Sequence, residues 1–311
     1  MKIVKVSGPE LECADAADEH AAPGRRAGSA ALMARVLDLT RLLPGPLCAR
    51  ILAAMGHEVM RVAAPGGDWL EAAAPTTFDW LHPEPAEETL DLKTEAGRAR
   101  MRELAAGTDV LLENHLPGRM EAWGVGPEAL RASNPGLVYV RMVGSRAPES
   151  AGLPGHDLTY LAASGLLPTL DAAWRALPLA DLCGAFWAAL AVERGLREGG
   201  GVFEVYLEEA AHAAAFPSIA GLDGSSARYA VYECAEGTVA LAALEPHLWE
   251  RFCQAAKRAD WMADAQRGSV AAHFKQRTAA EWEGWGRAHG VPLRRVREAA
   301  AAGVPLPWRM S

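Results

Sequence analysis

Three side chains of this sequence could carry acid/base chemistry: His156 in Gly155-His156-Asp157, Asp181 at the head of the apolar stretch 179–197, and Glu245 directly before Pro246. Imidazole and carboxylate form a natural pair, because one can be charged while the other is protonated, and a second carboxylate can orient the imidazole and fix its tautomer. Each residue also has a plainer use. A histidine in such a loop is more often a hydrogen-bonding group, Asp181 fits a helix cap, and Glu245 before a proline fits the first turn of a helix. Local spacing alone does not choose between these uses.

Composition narrows the setting. The chain has 311 residues, 50% hydrophobic and 23% charged, which suits a globular protein of one large or two modest domains. A net charge of −8 argues against a nucleic-acid or anionic-membrane surface, so a polyanionic ligand would need a local cationic pocket. No apolar stretch reaches the ~20 residues that span a bilayer, and the opening residues are too acidic for a leader peptide. The five cysteines (Cys13, Cys48, Cys183, Cys234, Cys253) show no CxxC or metal-ligand spacing and read as buried thiols of a cytoplasmic protein. No GxGxxG follows the first strand, and Walker, HExxH and paired CxxC motifs are lacking, so neither a cofactor nor a metal is expected.

The elements that must position those side chains follow from pattern. Residues 1–34 are polar and rich in Ala, Gly and Pro, and read as an N-terminal extension without a fixed fold. From Arg35, strand and helix alternate: strands at 35–40, 57–62, 89–92, 109–113 and 137–143, with helices at 48–56, after Thr94 and at 126–133. A long helix at 179–197 and a strand and helix at 201–216 complete a Rossmann-like α/β domain over 35–217 with a mainly parallel sheet. Residues 229–244 form a hairpin around Glu236-Gly237, followed by helices near 246–257 and 279–289. This predicts a smaller α+β domain over 218–290 and a tail, 291–311, returning to the large domain.

The ordered motifs resemble the family III CoA-transferase superfamily (CaiB/BaiF type). The carriers are VLDLTRLLPGPLCARILAAMGHEVMRVAAPGGD (36–68) and the block from LDLK (90–93) through ENHLPG (113–118) and WGVGPEAL (123–130) to NPGLVY (134–139). GHDLTYLAASGLL (155–167), LADLCGAF (179–186) and ALEPHLWERF (243–252) are most similar to the α-methylacyl-CoA racemase branch, where a histidine precedes the aspartate. The resemblance implies that His156 and Asp181 are bases on opposite faces of a thioester α-carbon, with Glu245 orienting His156 and the N–H groups at the start of the Asp181 helix favouring an enolate. It further implies CoA or substrate contacts at Leu43, Pro44, Arg61, Leu90, Asp91, Leu92, Lys93, Asn114, His115, Arg119, Gly155, Asp157 and Tyr160. Acyl-CoA, or another acyl thioester, is then substrate rather than cofactor. The assembly is an intertwined homodimer, or a hetero-oligomer with a related subunit.

The chain departs from that pattern where relatives carry cations. Ala63 and Ala64 stand where an acidic or variable residue and an arginine are usual, Leu116 and Ala122 replace arginines, and LHPEPAEET (81–89) offers Glu84, Glu87 and Glu88 where a basic run is expected. Charge-assisted phosphate contacts are worth about 1.5–3 kcal/mol each, so these changes predict a weakened CoA grip. Two alternatives to the racemase therefore stand beside it: a CoA-transferase using an Asp181 acyl anhydride, and a non-catalytic homologue acting as a subunit or binding protein.

Overall fold

The computed structural model describes residues 33–84, 86–147, 152–167, 177–214, 225–262 and 266–297. The extension over 1–32, Cys13 and the domain boundary expected at 217/218 lie outside them.

Apolar runs build a six-stranded, all-parallel sheet in the order β3-β2-β1-β4-β5-β6. Its strands are β1 (Arg35–Asp38), β2 (Glu58–Ala63), β3 (Glu88–Thr89), β4 (Val110–Glu113), β5 (Val138–Val143) and β6 (Gly201–Tyr206). The central strands β4 and β5 are buried throughout, as a parallel sheet covered on both faces requires. Side chains alternate between the faces. Val36, Val110, Leu112, Val138 and Val140 meet α1 (Pro44–Ala54) and α8 (Leu179–Glu198) in one core. Leu37, Leu111 and Tyr139 meet α4 (Glu95–Ala106), α5 (Arg119–Ala122) and α6 (Pro127–Ser133) in another. Strand order reverses between β1 and β4, and at such a switch point parallel sheets open a crevice at their carboxyl ends.

Several sequence expectations are corrected. The strand expected over 89–92 is only Glu88–Thr89, because Leu90 N–H makes the last rung to Ala63 C=O and Asp91 then turns the chain into α4. Its carboxylate accepts the Lys93 N–H, and Thr94 caps α4 at Gly97 N–H as expected. The first helix starts at Pro44 rather than Cys48, since prolines in a first turn lack only N–H groups that have no intrahelical partner. Short helices α2 (Trp69–Ala73), α3 (Pro75–Leu81), α7 (Asp157–Ala163) and α9 (Leu207–Ala214) complete this part of the chain.

The hairpin is present as β7 (Tyr229–Glu233) and β8 (Thr238–Ala242). Helices α10 (Pro246–Ala255), α11 (Arg267–Phe274) and α12 (Ala279–His289) pack with it around an aromatic core that includes Trp249, Phe252, Trp261 and Trp282. The expected return of the tail is corrected over its described part. β9 (Leu293–Arg295) pairs with β8 as a third antiparallel strand, and Leu293 enters the aromatic core. Among the described cysteines, Cys48, Cys234 and Cys253 are buried free thiols and Cys183 is half-buried. No helix among the described residues is long and apolar enough to cross a membrane.

Helix α8 lies directly against the sheet because its inner face is mostly Gly and Ala. A Cβ at Gly195 would stand 2.5 Å from Val138 Cγ1 and 2.8 Å from Phe203 Cε2. Gly195→Val is therefore expected to overpack the β5–α8 contact and lower stability by about 2–3 kcal/mol, read by urea unfolding. An unchanged midpoint would mean that the helix can move off the sheet freely.

Candidate active site

Loops at the carboxyl ends of β1, β2, β3 and β4 surround a crevice cavity of about 470 Å³. Leu90, Asp91, Leu92, Lys93, Asn114, His115 and Arg119 all line it, which places seven of the expected contact residues together. Ala63, Ala64 and Leu116 line it too. The cationic shortfall is smaller than the sequence implied, because Arg41 joins Lys93 and Arg119 in the wall. The three glutamates of 81–89 are placed elsewhere. Glu88 is paired with Arg100, while Glu84 and Glu87 line a separate cavity beside Arg61.

A second cavity, about 340 Å³, adjoins the first and shares Arg41, Asn114, His115 and Leu116 with it. Leu43, Pro44, Gly155, His156, Tyr160 and Asp181 line this one. His156 is the residue before α7 and is exposed; its backbone N–H donates to Thr159 Oγ1 at 3.1 Å, which leaves the imidazole at the cavity wall. Tyr160 reaches the same wall because Gly144 and Gly155 are bare. A Cβ on either would lie 2.5 or 2.7 Å from its ring.

Asp157 does not line the cavity; it holds the site's two halves together. Its Oδ1 accepts the Asp181 N–H at 3.1 Å, and its carboxylate also accepts the Ala180 N–H. Leu179 N–H donates to Leu177 C=O and Leu182 N–H to Pro178 C=O, so the first-turn amides of α8 are all used. This corrects the expectation of free N–H groups there for an enolate. Asp181 sits in that first turn, 9% exposed. Burial, with the Asp157 charge adding to it, pushes its carboxyl up to about 7. Burial likewise raises the Asp157 carboxyl, opposed by the two amides it accepts.

The floor beneath the β4 loop is a buried ionic network. Glu113 and Arg141 are cross-strand partners, and so are Arg141 and Glu204. Arg141 Nε donates to Glu113 Oε1 at 2.6 Å, and its other nitrogens reach Glu121 and Glu204. Tyr139 O–H donates to Glu113 Oε1 at 3.2 Å, and His115 N–H to Glu113 Oε2 at 2.7 Å. His115 is thus fixed by backbone and ring, the latter edge-on to Trp123 at 5.5 Å.

Two expected residues lie elsewhere. Arg61 points to the opposite sheet face from Val62, since side chains alternate along β2. There it sits 5.1 Å over the Phe78 ring, in a cavity with Asp38 and His82. Burial raises the Asp38 carboxyl to about 6 despite two hydrogen bonds from Thr40, and burial lowers His82 to about 4. Glu245 is exposed at the start of α10, beside the small sheet, and is not among the residues lining the His156 cavity. The sequence reading passed over Arg41, Asp68 and Trp69. All three surround an opening of about 510 Å³ that His156 also lines, and Trp69 is 72% exposed there. The readable signal was position, since Arg41 directly follows the first strand and its turn.

The model of CoA-transferase family III matches residues 34–205 and 202–305. The chain belongs to this family. It is 30% identical over 292 residues to a probable fatty acyl-CoA transferase, Rv3272, of Mycobacterium tuberculosis, covering 79% of this chain and 74% of that protein. It is 40% identical over 133 residues to human alpha-methylacyl-CoA racemase, covering 42% of this chain and 33% of the racemase. A crystal structure of the Mycobacterium tuberculosis protein superposes with a TM-score of 0.70 at 27% identity, over 85% of this chain and 82% of that one. Family membership agrees with the switch-point crevice and with the ordered motifs that line it.

The buried carboxyl yields a pH prediction. An unfolded aspartate ionises near 3.9, so between about pH 4 and 7 the unfolded chain has released a proton that folded Asp181 still holds. The native chain therefore loses stability as pH rises through that window, and the loss is constant above it. Asp181→Asn removes the ionisation, and its stability advantage should grow from near zero at pH 4 to on the order of 4 kcal/mol at pH 8. Urea titrations across the window measure it. An advantage independent of pH would show that Asp181 is not held as a buried acid.

Proposed function

We propose that the chain is an acyl-CoA racemase or epimerase that exchanges the α-proton of a 2-methyl-branched acyl thioester by a two-base mechanism. The observation that carries this reading is the shared cavity of His156 and Asp181, with Asp181 raised to about 7. Such a carboxyl is populated in both protonation states at neutral pH, as a group that alternately takes and gives a proton needs to be. With the α-carbon between them, one residue removes the proton, the negative charge passes onto the thioester oxygen as an enolate, and the other returns a proton to the opposite face. Tyr160 shapes the wall, and Asp157 sets the Asp181 end of the site without touching substrate. The carrier part of the thioester lies in the crevice between Lys93 and Arg119.

A second reading is favoured by the relative matched over the longer stretch being a probable transferase. In it, ionised Asp181 attacks the thioester carbonyl, the C–S bond breaks to release CoA thiolate, and an aspartyl mixed anhydride remains for an acceptor acid. His156 has no necessary task in that step. Glu245 does not line the His156 cavity, so in the racemase reading it would orient the His156 of another copy of the chain, and that reading includes a homodimer.

Incubation of (2R)-2-methylacyl-CoA in deuterated water, followed by NMR, is expected to show α-deuterium incorporation and loss of configuration. His156→Ala and Asp181→Asn should each lower the rate by at least about 100-fold. Unaltered exchange in His156→Ala would overturn the two-base reading. Failure of exchange combined with hydroxamate formation at Asp181 on hydroxylamine treatment would establish the transferase instead.

A further inference from the structure

The turn after β1 carries a cation that the proton transfer does not use. Arg41 is exposed, and its guanidinium has no hydrogen-bond or ion-pair partner among the described residues. It lines the crevice, the His156–Asp181 cavity and the opening shared by Asp68, Trp69 and His156, so it stands where all three meet.

The backbone that puts it there is strained and pinned. Leu42 has φ 68°, in the left-handed region that a bulky side chain rarely adopts. Three hydrogen bonds hold the turn. Asn114 Oδ1 accepts the Arg41 N–H at 3.1 Å, Asn114 Nδ2 donates to the Arg41 C=O at 2.7 Å, and the Leu42 N–H donates to Asp68 Oδ2 at 2.7 Å. Asn114 therefore spends its amide on the turn rather than on a ligand. Strain of this kind persists only where the surroundings over-determine it, and it concentrates at ligand clamps.

We propose that Arg41 is a ligand anchor: its guanidinium grips an oxyanion of the acyl thioester at the junction of crevice and cavity. The inference rests on the acyl-thioester reading and adds to it a residue and a specificity. A planar guanidinium matches phosphate and carboxylate alike in two-pronged hydrogen bonding. One ligand supplies either partner: the carrier's diphosphate from the crevice side, where Lys93 and Arg119 also lie, or a carboxylate on the acyl group from the His156 side.

Calorimetric titration of the full chain and of Arg41→Met and Arg41→Lys tests this with CoA, pantetheine, butyryl-CoA and succinyl-CoA. If the diphosphate is the partner, Arg41→Met binds CoA at least tenfold more weakly and pantetheine equally, with Arg41→Lys between. If the acyl carboxylate is the partner, Arg41→Met binds CoA as the native chain does but loses a tenfold preference for succinyl-CoA over butyryl-CoA. Asn114→Ala, which frees the turn, should weaken the same arm. Native affinity of Arg41→Met for all four ligands overturns the anchor while leaving the thioester reading intact. A native chain that binds none of them overturns both.

Discussion

The site depends on one carboxylate. Asp157 accepts the amides of Ala180 and Asp181 across 24 residues of sequence, closing an α8 N-terminus that has no side-chain cap of its own. A helix leaves its first amides unpaired, and burying them unpaired costs about 1–3 kcal/mol each. Anchoring α7 to α8 in this way sets where His156 stands relative to Asp181. The same contact has an electrostatic consequence. Burial is the larger reason that the Asp181 carboxyl resists ionisation, and the negative charge held against the first turn adds to it. The cap that positions the pair thus also tunes one of its members.

The remaining walls follow from the sheet. Reversal of strand order between β1 and β4 opens the crevice, and the parallel register brings Glu113, Arg141 and Glu204 side by side on β4, β5 and β6. A buried ion pair of this sort is weak evidence for added stability, since desolvation offsets the Coulomb attraction. Its value here is positional. With Glu113 accepting from Arg141, Tyr139 and the His115 backbone, the β4 loop leaves the sheet in a fixed direction. That loop presents Asn114, which in turn pins the β1 turn. Two neighbouring turns at the switch point therefore hold each other, and the strain at Leu42, on the order of 1–2 kcal/mol, is carried by that mutual hold.

What was legible in the sequence divides along the range of the interactions. Local signals read well: the apolar runs of β4 and β5, the Thr94 cap and the Glu236-Gly237 hairpin turn. Residues set by contacts distant in sequence did not. Nothing near Asp157 announces a cap for a helix two dozen residues on, and nothing near Leu42 announces a positive φ. Arg61 was expected as a ligand contact from the resemblance alone, and strand alternation sends it to the face opposite Val62. Glu245 matched a motif, but a motif match does not place a side chain in space, and the residue lies outside the lining of the His156 cavity.

The balance between racemase and transferase turns on His156 rather than on Asp181. A proton carrier uses Asp181 in both ionisation states and a carboxylate nucleophile in the ionised one, and a carboxyl held near 7 supplies both at neutral pH. Its burial alone therefore favours neither chemistry. An imidazole at the wall of the same small cavity supports the proposed racemase, because anhydride formation moves no proton at the α-carbon, whereas inversion needs a second group to return one to the other face. The exposure of His156 suits that role further. In the proposed racemase, a base open to solvent would exchange its proton between turnovers while a buried one would keep its own, so deuterium would enter the product through the exposed side.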